Sequence, residues 1–287
     1  MAFGSDGVGW RLGRLLGQGG SPVVIVAMDH GLAGVPEGFS LAETTIRQVL
    51  DGEPQGILLN AGMARRFLPL LASRDAPSLV VALDFVLHAG PSASGPAVGH
   101  CSAVPVEDAI RLGADAVKTM LILGGSDRHI QLRNMQCIAE AATACRHWEM
   151  PLMIEPYLWG ENAPTDPTDR AKLAADGVRI AAELGADLVK VEYSGDVVAF
   201  SEVVASSPVP VTVLGGAKRG TIREMLEEVV AVANAGAAGL SMGRNVWQRP
   251  DPARMIRSLD VALRTRDVEA AIAELKLDHG NDHFESH

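Results

Sequence analysis

The stretches ELGADLVKVE (183–192) and RLGADAVK (111–118) share one pattern, in which a helical segment ends at glycine and a short apolar run follows. Glycine relieves the left-handed backbone conformation that commonly ends a helix. The apolar runs that follow are short and β-rich, which favours buried strands over helices. Units of this kind, repeated along a chain, predict a parallel sheet covered by helices.

Eight β-rich apolar runs alternate with helical segments from one end of the chain to the other. The predicted strands are 23–28, 56–60, 79–84, 114–121, 152–155, 188–193, 209–214 and 238–242, and the predicted helices are 41–50, 64–73, 106–112, 127–148, 167–184, 196–205, 222–235 and 251–264. Eight strand–helix units predict an α/β fold, a single-domain (β/α)8 TIM barrel, which typically needs about 250 residues. We expect the barrel, with a short N-terminal extension, in residues 1–265, and a terminal helix and mobile tail in residues 266–287.

Composition and charge narrow the class of protein. The 287 residues are 47% hydrophobic and carry a formal net charge of −10, which argues against a nucleic-acid-binding surface. Cys101, Cys137 and Cys145 form no CxxC pair, as expected for thiols in a reducing compartment. The sequence shows neither a signal-peptide pattern nor an apolar run that could span a membrane, so we expect a cytoplasmic protein with no membrane partner.

Charged residues stand late in several predicted strands, where the carboxyl ends of a barrel carry active sites. They are Asp29, Lys118, Glu155 and Lys190, with Glu192 just beyond Lys190. An isolated buried charge lowers the free energy of unfolding by roughly several kcal/mol, so such a charge is usually paired or functional. Four such groups from different strands therefore predict a catalytic site.

Lys190 is the candidate nucleophile. Strand alternation places Leu188, Lys190 and Glu192 on one face, and burial together with a nearby Lys118 ammonium favours the neutral, nucleophilic amine. This indicates imine (Schiff-base) chemistry. A buried salt bridge of Lys190 with Glu192 or Glu155 is the alternative.

The seventh and eighth predicted strands lead into glycine-containing loops that resemble phosphate sites. Gly215, Gly216, Gly243 and Arg244 are the candidate phosphate-binding residues, with Lys218 as a helper. Glycines let backbone amides approach an anion, and barrels commonly bind phosphate after these two strands. Tight-turn glycines without a ligand are the alternative.

Four segments resemble the archaeal-type class I fructose-bisphosphate aldolases: AMDHG (27–31), ELGADLVKVEYSGD (183–196), VPVTVLGGAK (209–218) and AGAAGLSMGRNVWQRPDP (235–252). The resemblance covers most of the chain from residue 23 to about residue 264. The wider family includes deoxyribose-phosphate aldolase-like enzymes, autoinducer-2 phosphate thiolase and aminodideoxyheptulosonate synthase. The resemblance implies that Lys190 forms the imine, that Asp29 serves the active site, and that the glycines and Arg244 hold phosphate.

The sequence departs from the archaeal-type pattern after the fifth predicted strand. A tyrosine proton donor precedes proline in those enzymes, whereas this chain reads MIEPYLWG (153–160). Glu155-Pro156, Lys118 and VKVE (189–192) are instead similar to tagatose-bisphosphate and sulfofructose-phosphate aldolases. The acid/base residue is therefore either Glu155, which we favour slightly, or Tyr157.

The leading expectation is a lyase that cleaves fructose 1,6-bisphosphate in glycolysis. The first alternative is a related aldolase, thiolase or transaldolase-type synthase that acts on another phosphorylated keto compound, of the sulfofructose phosphate, tagatose bisphosphate, autoinducer-2 phosphate or aminodideoxyheptulosonate type. A phosphate-binding isomerase, an acyl-transferring thiolase and a non-catalytic barrel also stay open. His30 and Glu192 are further substrate-contact candidates, while Trp159 and Trp247 are expected to pack against loops. His88, His100 and His129 show no spacing of a zinc site, so we expect no metal and no cofactor. Similar enzymes form homo-oligomers, sometimes decamers, and we expect self-association.

Overall fold

The computed structural model describes residues 6–17, 20–35, 42–90, 97–215 and 220–276, and within them eight parallel strands close into a barrel. The predicted single-domain TIM barrel is confirmed. The barrel strands are β1 (Val23–Ala27), β2 (Gly56–Asn60), β3 (Ser78–Ala82), β6 (Ala116–Leu123), β7 (Leu152–Leu158), β8 (Leu188–Glu192), β9 (Val211–Leu214) and β10 (Gly239–Met242). They follow one another around the barrel in this order, and β10 pairs with β1.

Helices cover the outside of the barrel. They are α1 (Gly7–Leu16), α2 (Ala42–Leu50), α3 (Ala61–Arg66), α4 (Leu68–Leu71), α5 (Val106–Arg111), α6 (Arg128–Trp148), α7 (Pro167–Glu183), α8 (Val197–Ser206), α9 (Ile222–Asn234), α10 (Arg244–Trp247), α11 (Pro252–Thr265) and α12 (Val268–Lys276). The predicted helix 64–73 is instead two short helices, α3 and α4, with Pro69 in the first turn of α4. Proline fits there because its missing N–H has no partner in a first turn.

The third predicted strand, 79–84, ends earlier than expected. β3 stops at Ala82, and after Leu83 the chain forms an antiparallel hairpin of β4 (Asp84–His88) and β5 (Ala97–Ser102). Strand β4 contacts β6 and the short 3-10 helix (His30–Ala33) that follows β1. The hairpin therefore lies at the carboxyl end of the barrel, where the candidate site residues were expected.

Alternation along the strands separates two cores. Residues such as Val24, Ile57 and Val189 face the helices, whereas Ile25 and Leu188 fill the lumen. Buried strands of this kind are apolar on both faces, as the sequence showed.

Helix α1 closes the amino end of the barrel. Leu12, Leu15 and Leu16 pack against the lumen residues, and Leu15 lies where a side chain at Gly56 would clash. Arg14 pairs with Asp115, just before β6, at 3.3 Å. Apolar side chains therefore fill the amino end of the lumen, and the polar lumen residues lie towards the carboxyl ends of the strands.

Candidate active site

Two lysines lie inside the barrel on neighbouring parts of its wall. Lys118 on β6 is 0% exposed and Lys190 on β8 is 5% exposed, with Glu155 of β7 between them. Lys118 shares its lumen-facing parity with Ala116, and Lys190 shares it with Leu188. The sequence expectation that these charges share one face is met by the geometry.

The four charged groups form a continuous chain of contacts. Lys190 Nζ donates to Glu155 Oε2 at 3.0 Å, and Lys118 Nζ lies 2.9 Å from the same oxygen. Lys118 Nζ also donates to Asp29 Oδ2 at 3.2 Å. The order is therefore Lys190, Glu155, Lys118, Asp29, and the contact of Lys190 is with Glu155 rather than Glu192.

Burial and charge act against each other in this chain. Burial alone would raise the pKa of Glu155 and of Asp29, but the ammonium groups of Lys118 and Lys190 outweigh it and lower both pKa values. Burial alone would lower the pKa of Lys118, but Glu155 and Asp29 raise it. Near neutral pH the two acids are carboxylates and Lys118 is an ammonium.

His30 lies beside Asp29, at the start of the 3-10 helix. Its Nδ1 is 3.9 Å from Asp29 Oδ1 and has no hydrogen-bond partner among the described residues. Burial lowers the pKa of His30, so the ring is a neutral imidazole near neutral pH. Its ring meets Trp247 edge-on, with 5.7 Å between the centroids. Trp247 Nε1 in turn donates to the carbonyl of Ala27 at 2.9 Å, so Trp247 packs in the barrel wall.

The loops after β9 and β10 bring Gly215, Gly243 and Arg244 to the same end of the barrel. Asn245 Nδ2 donates to the carbonyl of Gly215 at 2.7 Å and so ties the two loops together. A Cβ at Gly243 would lie 2.4 Å from the carbonyl oxygen of Ala27, which excludes any side chain there. Arg244 Nε is buried and has no hydrogen-bond partner among the described residues, which is unusual for a buried polar group. The candidates Gly216 and Lys218 lie outside the described residues.

Glu192 and Tyr157 lie at the edge of the chain of charges. Arg170 of α7 contacts Glu192 with two nitrogens, one of them at 2.8 Å from Oε2, and also donates to the carbonyl of Leu158 at 2.9 Å. Tyr157 shares a hydrogen bond of 3.3 Å with His88 Nε2 and stacks on Trp159. Burial raises the pKa of Tyr157 to about 12, so its hydroxyl stays protonated near neutral pH.

Sequence reasoning missed Asp84 and considered His100 only as a possible zinc ligand. The two form a buried pair in the hairpin, with His100 Nε2 2.8 Å from Asp84 Oδ2. Asp84 carried the signal used for the other four groups, a charge at the end of a predicted strand, and could have been found by it.

The described residues contain no cluster of three His, Cys, Asp or Glu side chains arranged to hold a metal ion. None of their helices combines the length and hydropathy of a membrane-spanning segment.

Comparisons with known proteins show which family the chain belongs to. Residues 23–249 match the family described as DeoC/LacD family aldolase. The chain is 36% identical over 252 residues to a 2-amino-4,5-dihydroxy-6-oxo-7-(phosphonooxy)heptanoate synthase of Streptomyces griseus, covering 87% of each chain. It is 30% identical over 247 residues to a class 1 fructose-bisphosphate aldolase of Thermoproteus tenax, covering 82% of this chain and 87% of that protein.

Solved structures give the same answer. The crystal structure of an archaeal fructose 1,6-bisphosphate aldolase superimposes with a TM-score of 0.77 at 27% identity, covering 91% of this chain and all of that one (100%). A structure of a Schiff-base-forming fructose-1,6-bisphosphate aldolase superimposes with a TM-score of 0.75 at 27% identity, covering 90% of this chain and 100% of that one. The expected resemblance is confirmed. The chain belongs to the DeoC/LacD family and is a class I aldolase, a lyase.

Proposed function

We propose that this protein makes or breaks a carbon–carbon bond in a phosphorylated ketose, through a Schiff base between the substrate ketone and Lys190. The observation that carries the proposal is the contact of Lys190 with Glu155 inside the lumen, at 3.0 Å. A buried amine beside a carboxylate has a proton acceptor within reach before it attacks.

Imine formation starts with a proton transfer. Glu155 takes a proton from Lys190, and the free amine attacks the ketone carbon. The attacking nitrogen passes one proton to the ketone oxygen and the protonated Glu155 returns another, so that this oxygen leaves as water and a protonated imine remains. Lys118, bound to both Glu155 and Asp29, keeps the carboxylates in place during these steps.

Cleavage follows from the positive charge of the imine. Glu155 or Asp29 removes the proton from the substrate hydroxyl, the bond beside it breaks, and its electron pair moves to the imine nitrogen. The aldehyde leaves, and an enamine stays on Lys190. Of the two acid/base candidates we favour Glu155, because it contacts Lys190 directly, whereas the hydroxyl of Tyr157 forms a hydrogen bond with His88.

The phosphate is held at Gly215, Gly243 and Arg244. The unpartnered Nε of Arg244 supports this assignment, since a buried guanidinium nitrogen without a hydrogen bond is costly. Binding at these loops places the neighbouring ketone over Lys190 on the adjacent strand β8, which makes the attack effectively intramolecular. Gly216 and Lys218 stay candidates for the same site.

Fructose 1,6-bisphosphate, cleaved to dihydroxyacetone phosphate and glyceraldehyde 3-phosphate, is the leading substrate. The Thermoproteus relative carries the name of that aldolase. In the Streptomyces relative's product, the 6-oxo and 7-phosphonooxy groups give the same phosphorylated ketone end. Both names therefore support dihydroxyacetone phosphate as the ketone half.

The aldehyde half has a second candidate, an aldehyde without phosphate. Strands β3 and β6 lie across the barrel from β9 and β10, so a substrate anchored at the phosphate loops extends towards the hairpin. There His88, Tyr157 and Trp159 pack their rings together, with 5.7 to 5.8 Å between centroids. A wall of aromatic rings suits an unphosphorylated chain better than a second phosphate group, and the Streptomyces product ends in an amino acid group.

Borohydride trapping tests the Schiff base. Wild-type protein incubated with dihydroxyacetone phosphate and sodium borohydride is expected to gain the mass of the reduced adduct, mapped to the peptide of Lys190. Lys190→Ala and Lys190→Arg are expected to show no adduct and no turnover, since a guanidinium stays protonated. Turnover by either variant, or an adduct on another lysine, would refute the assignment.

The choice of aldehyde needs a separate assay. Consumption of dihydroxyacetone phosphate is followed with glyceraldehyde 3-phosphate, and in parallel with 2-amino-4-oxobutanoate, the aldehyde contained in the Streptomyces product. A higher kcat/KM with the first supports the fructose-bisphosphate reaction. A higher kcat/KM with the second supports the synthase reaction and leaves the lysine mechanism unchanged.

A further inference from the structure

The buried pair of Asp84 and His100 lies between the hairpin and the barrel, and it is not part of the chain of four charges. The side chains of His100 and Asp84 are 1% and 3% exposed. Asp84 Oδ2 accepts from the backbone N–H of Met120 at 2.9 Å as well as contacting His100 Nε2. The carboxylate is therefore fixed to β6 on one side and to β5 on the other.

Asp84 is placed to act on Lys118. Leu83 N–H donates to the carbonyl of Lys118 at 2.9 Å, and Asp84 Oδ2 accepts from the N–H of Met120, two residues beyond Lys118 on β6. Residues two apart on a strand share a face. The charge of Asp84 adds to the charges of Glu155 and Asp29, which together raise the pKa of Lys118 against the effect of burial.

The proposed reaction makes this third carboxylate necessary. Whenever Glu155 carries a proton, it no longer balances the charge of Lys118, which is wholly buried. A buried ammonium without enough negative charge around it gives up its proton. Asp29 and Asp84 are the carboxylates that then remain around Lys118, and Asp84 Oδ1 has no hydrogen-bond partner among the described residues.

We propose that Asp84, held by His100, is a positioning residue that keeps Lys118 charged and in place while Glu155 carries the proton. The inference rests on the proposed function, because it gives Glu155 the proton transfer. It adds the hairpin to the catalytic machinery as the support of one carboxylate.

Asp84→Asn tests the charge with little change of shape, since the amide oxygen can still accept from Met120 N–H. His100→Gln is the matched control, because its amide nitrogen can donate to a charged Asp84. Both variants are assayed for kcat and KM from about pH 6 to about pH 10, the range in which a weakened lysine titrates. Borohydride trapping at Lys190 is measured alongside.

For Asp84→Asn we expect kcat to fall about tenfold or more, with KM changed less, because the Lys118 ammonium that holds Glu155 and Asp29 in place is destabilised. The alkaline limb of its kcat profile moves to lower pH, since Lys118 loses its proton more easily once a neighbouring negative charge is gone. His100→Gln is expected to keep the wild-type alkaline limb.

A wild-type kcat and alkaline limb in Asp84→Asn would overturn the inference. So would equal losses in both variants with no movement of the limb, which would mean that the pair only holds the hairpin. If Asp84→Asn does not fold, Asp84→Ser removes the same charge and still offers an oxygen to Met120 N–H, and the same readouts apply. A wild-type protein that traps no phosphorylated ketone refutes the proposed function itself, whatever the variants do.

Discussion

A single oxygen of Glu155 lies within 3.0 Å of the Nζ atoms of both buried lysines. This side chain therefore balances charge in the resting protein, and in the proposed reaction it also transfers protons. An uncharged isostere of Glu155 loses both functions. The loss of charge balance is measured as a change in stability, and the loss of proton transfer is measured as a change in turnover.

Glu155→Gln removes the carboxylate and keeps the size of the side chain. We expect kcat to fall by about a hundredfold or more, because acid/base groups typically contribute that much. We expect the free energy of unfolding to fall as well, by up to about 3–5 kcal/mol, because two buried lysines lose their shared partner. Steady-state kinetics and urea unfolding check the two effects, with the exposed Glu140→Gln as control. Wild-type turnover in Glu155→Gln would move the acid/base role to Tyr157 or Asp29.

Asp29 gives the site a pH dependence of stability. Its pKa is lowered in the folded protein, so the stability it contributes is fully present above its unfolded pKa of about 4 and is lost as pH falls towards the folded value. Asp29→Asn is therefore expected to be less stable than the wild type at neutral pH, by an amount that shrinks as pH drops below about 4. Urea unfolding at a series of pH values measures the difference. A difference that does not depend on pH would contradict the assignment.

The sequence indicated which charged residues lie in the lumen, but of their contacts it offered only that of Lys190 with Glu155, as the alternative to imine chemistry. Asp29, Lys118, Glu155 and Lys190 could be found because charge is rare late in a buried strand. That both lysines meet Glu155 depends on the register of β6, β7 and β8, to which sequence patterns are blind. Their catalytic roles, and those of the phosphate-binding candidates, stay predictions.

At the scale of the elements, the barrel strands were predicted to within a few residues and the hairpin was not. The β-rich run LVVALDFVLH (79–88) continues from β3 into β4 without a turn residue, so no break marks where the chain leaves the barrel. The departure is visible only in three dimensions, where Leu83 N–H donates to the carbonyl of Lys118 and β4 then pairs with β5. The Asp84–His100 pair was missed for this reason, since it joins the two strands of an element that was not expected.

The closure of the barrel between β1 and β10 depends on Gly239. Its φ is +146°, and a Cβ there would lie 2.1 Å from the carbonyl oxygen of Val23. Gly239→Ala is expected to lower the free energy of unfolding by about 4 kcal/mol or more, since the backbone of the strand pair must move. Gly113→Ala is the matched control, because Gly113 also has positive φ, +79°, but open space around it. Its expected cost is about 1 kcal/mol, and equal losses in both variants would show that strain, not the clash, is responsible.

At the scale of the whole molecule, α1 and the hairpin make the two ends of the barrel different. The N-terminal extension was expected, but its helix was not. The apolar face of α1 packs against lumen residues from strands that are distant in sequence, so no local pattern indicated its partner. Self-association and the division of the chain near residue 265 stay predictions, and the expected tail, 278–287, lies outside the described residues.

Leu15 measures how much α1 contributes to folding. It is 0% exposed and packs at Gly56, so Leu15→Ala is expected to cost about 2–5 kcal/mol through the cavity that it leaves. Trp10→Ala on the same helix changes a side chain that is 63% exposed, and its expected cost is below about 0.5 kcal/mol. Urea unfolding gives both values. Turnover per folded molecule is expected to stay at the wild-type level in both variants. A loss of turnover in Leu15→Ala would mean that helix α1 also influences the geometry of the active site.

The closure of the amino end of the barrel by α1 bears on the order in which substrates bind and products leave. Because α1 fills the amino end of the barrel, we expect substrate and products to enter and leave the lumen at the carboxyl ends of the strands. In the proposed reaction the ketone half is bound covalently to Lys190, whereas the aldehyde half is held by no covalent bond. In cleavage the aldehyde therefore departs first and the ketone last, and in synthesis the ketone must be seated before its partner arrives.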